Sequence, residues 1–152
     1  MTLPSGYHPA RIRVRYGETD QMGVVYHANY LNWFEVGRTE LLREAGVTYR
    51  QLEEQGLMLP LTDASLSYKV PARYDDVLEV RTRIAYLNPL RLDFAYEIVR
   101  LEDEQLLVTG MTKHVFTNLQ LRPVRLQRVK PDLYEWLLAA WPDRPQESVT
   151  PV

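Results

Sequence analysis

Tyr16-Gly17-Glu18-Thr19-Asp20-Gln21-Met22-Gly23-Val24-Val25-Tyr26-His27-Ala28-Asn29-Tyr30 runs directly into Leu31-Asn32-Trp33-Phe34-Glu35-Val36-Gly37-Arg38-Thr39-Glu40, and this stretch decides the fold. From Ala28 to Ala45 the spacing predicts a helix. At about 100° per residue, Tyr30, Leu31, Trp33, Phe34, Gly37, Leu41, Leu42 and Ala45 fall within about half of the cylinder. So broad an apolar arc implies a helix enclosed on several sides. Gly46 sits where a left-handed residue ends a helix. Upstream, residues 17–25 form a loop that concentrates polar groups at the helix start.

Outward from this helix the periodicity changes. Ala10 to Tyr16 alternates Ile12, Val14 and Tyr16 with Arg11, Arg13 and Arg15, a strand pattern. A short helix, Thr48 to Gln55, is predicted to stop at Gly56. Leu59 to Val70, Val77 to Leu87, Leu92 to Leu101 and Leu106 to Leu119 then alternate at period two and are rich in β-formers. The separators Pro71 to Asp76, Asn88-Pro89 and Glu102 to Gln105 are short. Short links between successive strands predict antiparallel hairpins, since parallel neighbours need long crossovers. Pro131 opens a last helix through Leu138, at a position where its missing N–H costs nothing. The expected class is α+β, a helix covered by an antiparallel sheet. Residues 1–141 are expected to form one domain, with 142–152 a loose, proline-containing tail.

Composition excludes several functions. The 152 residues are 45% hydrophobic and 25% charged, enough for one core and a hydrated surface. No apolar run approaches the roughly 20 residues of a membrane span. Met1 to Arg15 lacks the apolar centre of a signal peptide, so the expected location is the cytoplasm. The absence of cysteine removes disulfides, a thiol nucleophile and cysteine-ligated metal. A net charge of −2 and a pI near 5.9 argue against nucleic acid as the main partner.

The chemistry concentrates around Asp20. A helix start exposes up to four unpaired N–H donors and about half a positive charge, which suits a carbonyl oxygen gaining charge during acyl transfer. Asp20, seven residues before His27, is placed to act across such a site as base or nucleophile, or to serve only as a cap or turn residue. His27 can act through its imidazole or only through its main chain. Tyr26, Tyr30 and Trp33 are candidates to line an acyl pocket or to pack against the sheet. Arg38 falls inside the apolar arc, where an unpaired charge is costly, so an ion pair is expected, with Glu18 the candidate partner. Glu35 and Glu40 read as outer-edge residues. His8, His27 and His114 have no metal-ligand spacing, and no serine sits in a G-x-S-x-G elbow.

The quoted run resembles the signature of the hotdog thioesterases of the 4-hydroxybenzoyl-CoA type. It is most similar to the YbgC-like branch found beside bacterial Tol-Pal genes. Tyr68-Lys69-Val70-Pro71-Ala72-Arg73-Tyr74-Asp75-Asp76, Lys113-His114-Val115-Phe116 and Arg122-Pro123-Val124-Arg125 extend the likeness over roughly residues 10–130. The resemblance implies a hotdog fold, a long central helix wrapped by a curved antiparallel sheet, and an acyl-CoA thioesterase without cofactor or metal. By position, Asp20 matches the catalytic carboxylate, and His27 the residue whose helix-end amide polarises the thioester carbonyl. It implies a homo-oligomer, dimer or tetramer, with substrate between two subunits and the strand carrying Ser67 and Tyr68 beside it. The family has a basic run near the position of Arg91, of which only Arg91 remains here; Arg91 is the candidate for the coenzyme A phosphates, with the cluster Arg122, Arg125, Arg128 and Lys130 next in line and Lys69 and Arg73 elsewhere. The alternatives are a binding scaffold for an acyl carrier or an envelope-associated partner with little turnover, and a hotdog dehydratase, whose acid–histidine arrangement this chain lacks.

Overall fold

The computed structural model describes residues 6–145. The central helix, α1 (Asn29–Glu44), buries Tyr30, Trp33, Phe34, Gly37, Leu41 and Leu42, whereas Leu31 of the expected arc faces outward. It ends at Gly46, whose φ of +83° is the left-handed geometry that favours glycine. The second helix, α2 (Tyr49–Glu54), starts with a reciprocal capping box between Thr48 and Gln51.

Five strands wrap α1: β1 (His8–Arg13), β2 (Leu61–Tyr68), β3 (Val77–Asn88), β4 (Arg91–Arg100) and β5 (Gln105–Val115). All pairs are antiparallel and the spatial order is β1-β3-β4-β5-β2. Together they form a helix-in-sheet hotdog. Thr82, Tyr96 and Gly110 stand side by side on the face that meets α1. Phe34 stacks on Tyr96 with ring centroids 4.1 Å apart. Complete burial of one such side chain contributes about 2 kcal/mol. The approach is close enough to demand glycine on both sides. A methyl group at Gly37 would collide with Thr82, and one at Gly110 would come within 2.5 Å of the Phe34 ring.

Several expectations need correction. β2 does not pair with β3 despite the short link between them; it lies at the far edge, against β5. Pro71 has no N–H to extend a ladder. The next residue, Ala72, donates to the Tyr30 hydroxyl at 3.1 Å and accepts from Val25 N–H at 2.9 Å, so the link crosses the helix start instead of folding back. β1 lies earlier than expected and stops at Arg13. Tyr16–Glu18 forms a one-turn 3-10 helix closed by Arg15 N–H donating to Glu18 Oε1 at 2.8 Å, and it leaves Tyr16 exposed. β5 ends at Val115, because residues 117–123 turn back through a Thr117–Pro123 bridge. A short helix, α3 (Leu126–Val129), precedes the expected last helix, α4 (Pro131–Ala140).

Arg38 forms no ion pair with Glu18. Glu18 is taken by Arg15 and Trp33, while Arg38 lies five residues beyond Trp33, about 7.5 Å further along the helix. Its guanidinium instead sits against the Tyr96 and Tyr49 hydroxyls. Nε and the Tyr49 hydroxyl are buried there without a well-aligned hydrogen bond. At the C-terminal end, Asp143 pairs with Arg83, so the expected loose tail is tied down at its start; 146–152 lie outside the described residues.

Candidate active site

Where the β2–β3 link crosses α1, a cleft of about 290 Å³ opens, lined by residues that include Asp20, His27, Tyr30, Tyr68 and Lys69. Three elements build it: the Asp20 loop, the helix start and the end of β2.

The loop is a small closed unit. Thr19 bridges to Val25, Asp20 N–H donates to Val24 O at 2.9 Å and Gly23 N–H donates to Asp20 O at 3.0 Å. Gly23 adopts φ +77°, a turn geometry that disfavours other residues. Met22 N–H donates to Asp20 Oδ1 at 2.8 Å, the turn-forming bond typical of Asp and Asn. Asp20 Oδ2 has no protein partner among the described residues. One oxygen therefore shapes the loop while the other takes no part in it.

The helix start is left open. Ala28, at the N-cap position, supplies no side-chain cap, and the first turn carries no acidic residue. Among the described residues, His27 N–H and Ala28 N–H donate to no backbone carbonyl. Unsatisfied donors at a helix N-terminus carry partial positive charge, and His27 at this end lines the cleft. The Tyr68 hydroxyl donates to His27 O at 3.1 Å, fixing the peptide that carries the Ala28 N–H. Tyr30 packs edge-on to Tyr68 with centroids 5.5 Å apart. Burial raises the Tyr30 pKa, which keeps its hydroxyl neutral.

The residues expected at the site divide. Asp20, His27 and Tyr68 come together, joined by Tyr30. The exposed His27 ring rests against Tyr26 at 4.3 Å, and Tyr26 does not line the cleft. Trp33 packs inside and donates to Glu18 Oε2 at 3.1 Å. Ser67 points to the opposite sheet face from Tyr68, into a shallow groove with Ser65 and Thr109. Arg91 lies at the other end of the sheet, opposite Val115, bound to Asp93 at 2.9 Å and lying over the Tyr86 ring. Met22, Val24, Val70 and Pro71 also line the cleft without having been singled out. Their signal was proximity to Asp20 and Tyr68 in the chain.

A family model described as the thioesterase-like superfamily matches residues 14–137, which includes every residue of the cleft. The chain belongs to the thioesterase-like superfamily. YneP of Bacillus subtilis, whose name as an acyl-CoA thioesterase is provisional, is 38% identical over 122 residues, 80% of this chain and 88% of YneP. The acyl-CoA thioester hydrolase YbgC of Escherichia coli is 37% identical over 117 residues, 77% of this chain and 87% of YbgC. Among solved structures, a DHNA-CoA thioesterase from Staphylococcus aureus superposes with a TM-score of 0.82 at 36% identity, covering 88% of this chain and 91% of that one. As a member of the thioesterase-like superfamily, the protein is a thioester hydrolase. Asp20 and His27 both line the cleft, which lies wholly within the matched residues.

Proposed function

We propose that the chain hydrolyses acyl-CoA thioesters in the Asp20 cleft by general-base catalysis. Asp20 Oδ2 takes a proton from a water whose oxygen bonds to the thioester carbon. The carbonyl oxygen, now negative, is met by the His27 and Ala28 N–H groups. The C–S bond then breaks, and coenzyme A leaves as the thiol after recovering the proton from Asp20. The observation carrying this reading is the division of labour at Asp20: Oδ1 is bound in the turn, and Oδ2 is unpartnered in a cleft beside an uncapped helix start.

The cleft is completed by a second copy. β2 is an eight-residue edge strand with seven exposed residues, the kind of edge that folded proteins cover. Two-fold antiparallel pairing along it would set the Leu61 end of one copy beside the Tyr68 end of the other. Arg91 lies at the Leu61 end of the sheet, so it would serve the partner's cleft and not its own. Lys69, the cation lining the cleft itself, is then the nearer contact for the phosphate-bearing arm of coenzyme A.

A panel of aromatic, short-chain and long-chain acyl-CoAs, followed by thiol release, tests the reading; the protein has no cysteine to contribute background. Asp20→Asn keeps the Oδ1 acceptor and the turn, so its melting temperature should hold. Its kcat should fall by at least about 10²-fold, the lower end of a positioned acid–base contribution. Near wild-type turnover in Asp20→Asn would end the mechanism. A wild-type protein that binds acyl groups but turns over none of the panel would favour the scaffold alternative.

A further inference from the structure

Glu18 lies outside the cleft, yet its bonds reach the chain on both sides of the Asp20 loop and the first two turns of α1. Its carboxylate accepts from Arg15 N–H at 2.8 Å, at the end of the segment leaving β1, and from Trp33 Nε1 at 3.1 Å, in the second turn of α1. Its carbonyl accepts from Tyr26 N–H at 2.9 Å, just after the Asp20 loop, and from Asn29 Nδ2 at 2.8 Å, in the first turn of α1. The carboxylate is largely buried, with its side chain 13% exposed. Two residues further along the chain comes Asp20. We infer that Glu18 is a positioning residue that fixes the Asp20 carboxylate relative to the His27 and Ala28 N–H donors through its clamp on Asn29 and Trp33.

The physical argument is one of leverage. The Asp20 loop closes on itself and touches the sheet link through Val25. From there the only tie to the helix among these bonds is indirect, through Ala72 N–H and the Tyr30 hydroxyl, whereas the oxyanion donors ride on the helix start. Glu18 bonds to the first two turns of that helix with both its side chain and its main chain. A charged acceptor holds an indole N–H more strongly than a neutral one. Displacement of a catalytic group by about 1 Å reduces rate by up to about 10²-fold without removing any reacting atom.

The inference rests on the Asp20 mechanism proposed above, and its test separates the two. Kinetics and melting temperature are compared for Glu18→Gln, Trp33→Phe and the double variant on the best acyl-CoA of the panel, well below all melting temperatures. Glu18→Gln keeps the main-chain bonds and size but weakens the carboxylate clamp, and Trp33→Phe removes the donor from the helix. Each single variant should lose about 10-fold or more in kcat with KM within about twofold, and the double variant should lose no more than the worse single, since both cut one link. Three results would overturn the inference: single variants with wild-type kcat, multiplicative losses in the double variant, or a loss that appears in KM instead. If Glu18→Gln fails to fold, Trp33→Phe alone still decides through its split between kcat and KM. An inactive Asp20→Asn beside a fully active Glu18→Gln sinks this inference alone. An active Asp20→Asn sinks the mechanism and this inference with it.

Discussion

The long contiguous motif around Asp20 pointed to the loop that lines the cleft, but the different settings of its two carboxylate oxygens were not legible, since they depend on where Met22 N–H points. Ser67 and Tyr68 show the same limit: adjacent strand residues face opposite ways, and only the sheet's position says which face is the cleft. His114 is the residue with the clearest pH consequence. It is buried against Leu59 O and Thr112, and burial, assisted by the Arg38 charge, lowers its pKa to about 4. The unfolded chain regains an ordinary histidine and binds more protons between about pH 6.5 and 4, so stability must fall as pH drops through that window. The loss by pH 4.5 should be about 2–3 kcal/mol. Denaturant unfolding at pH 7 and pH 4.5 checks it: wild type should lose more stability over that interval than His114→Gln, which carries no titrating ring. At the cleft, charge reversal at Lys69 should raise KM for acyl-CoA more than it lowers kcat, because the nucleotide end is remote from the reacting carbon. Steady-state kinetics with acyl-CoA and with a truncated thioester lacking the nucleotide separate the outcomes, since the truncated substrate should be indifferent.

At the scale of elements, the helix and the three strands that form successive hairpins were legible from period and punctuation alone. The place of β2 was not. A link of a few residues ordinarily means a hairpin, and what overrides it here is tertiary: Ala72 is held by Tyr30 and Val25, and Lys69 and Val70 bond to Leu107. The 3-10 turn at Tyr16–Glu18 escaped for a similar reason, since its closing bond runs between side chain and backbone over three residues. Gly110 offers a direct probe of helix-to-sheet contact. In Gly110→Ala the new methyl group would meet the Phe34 ring and, at 2.8 Å, the Ser65 carbonyl, neither of which can swing aside. Overpacking of this kind should cost about 1–3 kcal/mol. The midpoint of chemical unfolding should fall accordingly, and Phe34→Leu in the same chain should recover part of the difference.

Across the whole molecule, the exposed β2 edge predicts a dimer of about twice the 17.8 kDa chain mass, measurable by light scattering at micromolar concentration. A shared cleft also predicts complementation. Asp20→Asn and Arg91→Glu, each impaired as a homodimer at low substrate, should regain about a quarter of wild-type activity when mixed and reassembled, because half the dimers then carry one intact cleft. No recovery would assign Arg91 to a structural pairing with Asp93 alone. The position of β2 has one more effect, on the order of events during synthesis. Every residue lining the cleft precedes residue 72, yet the wall carrying Tyr68 is held by a strand that does not begin until Gln105. A nascent chain therefore displays all its reactive groups long before it can arrange them. Under the proposed mechanism, a fragment ending before β5 should carry Asp20 and the helix-start donors and yet release no thiol from acyl-CoA, because the wall that completes the cleft has not closed.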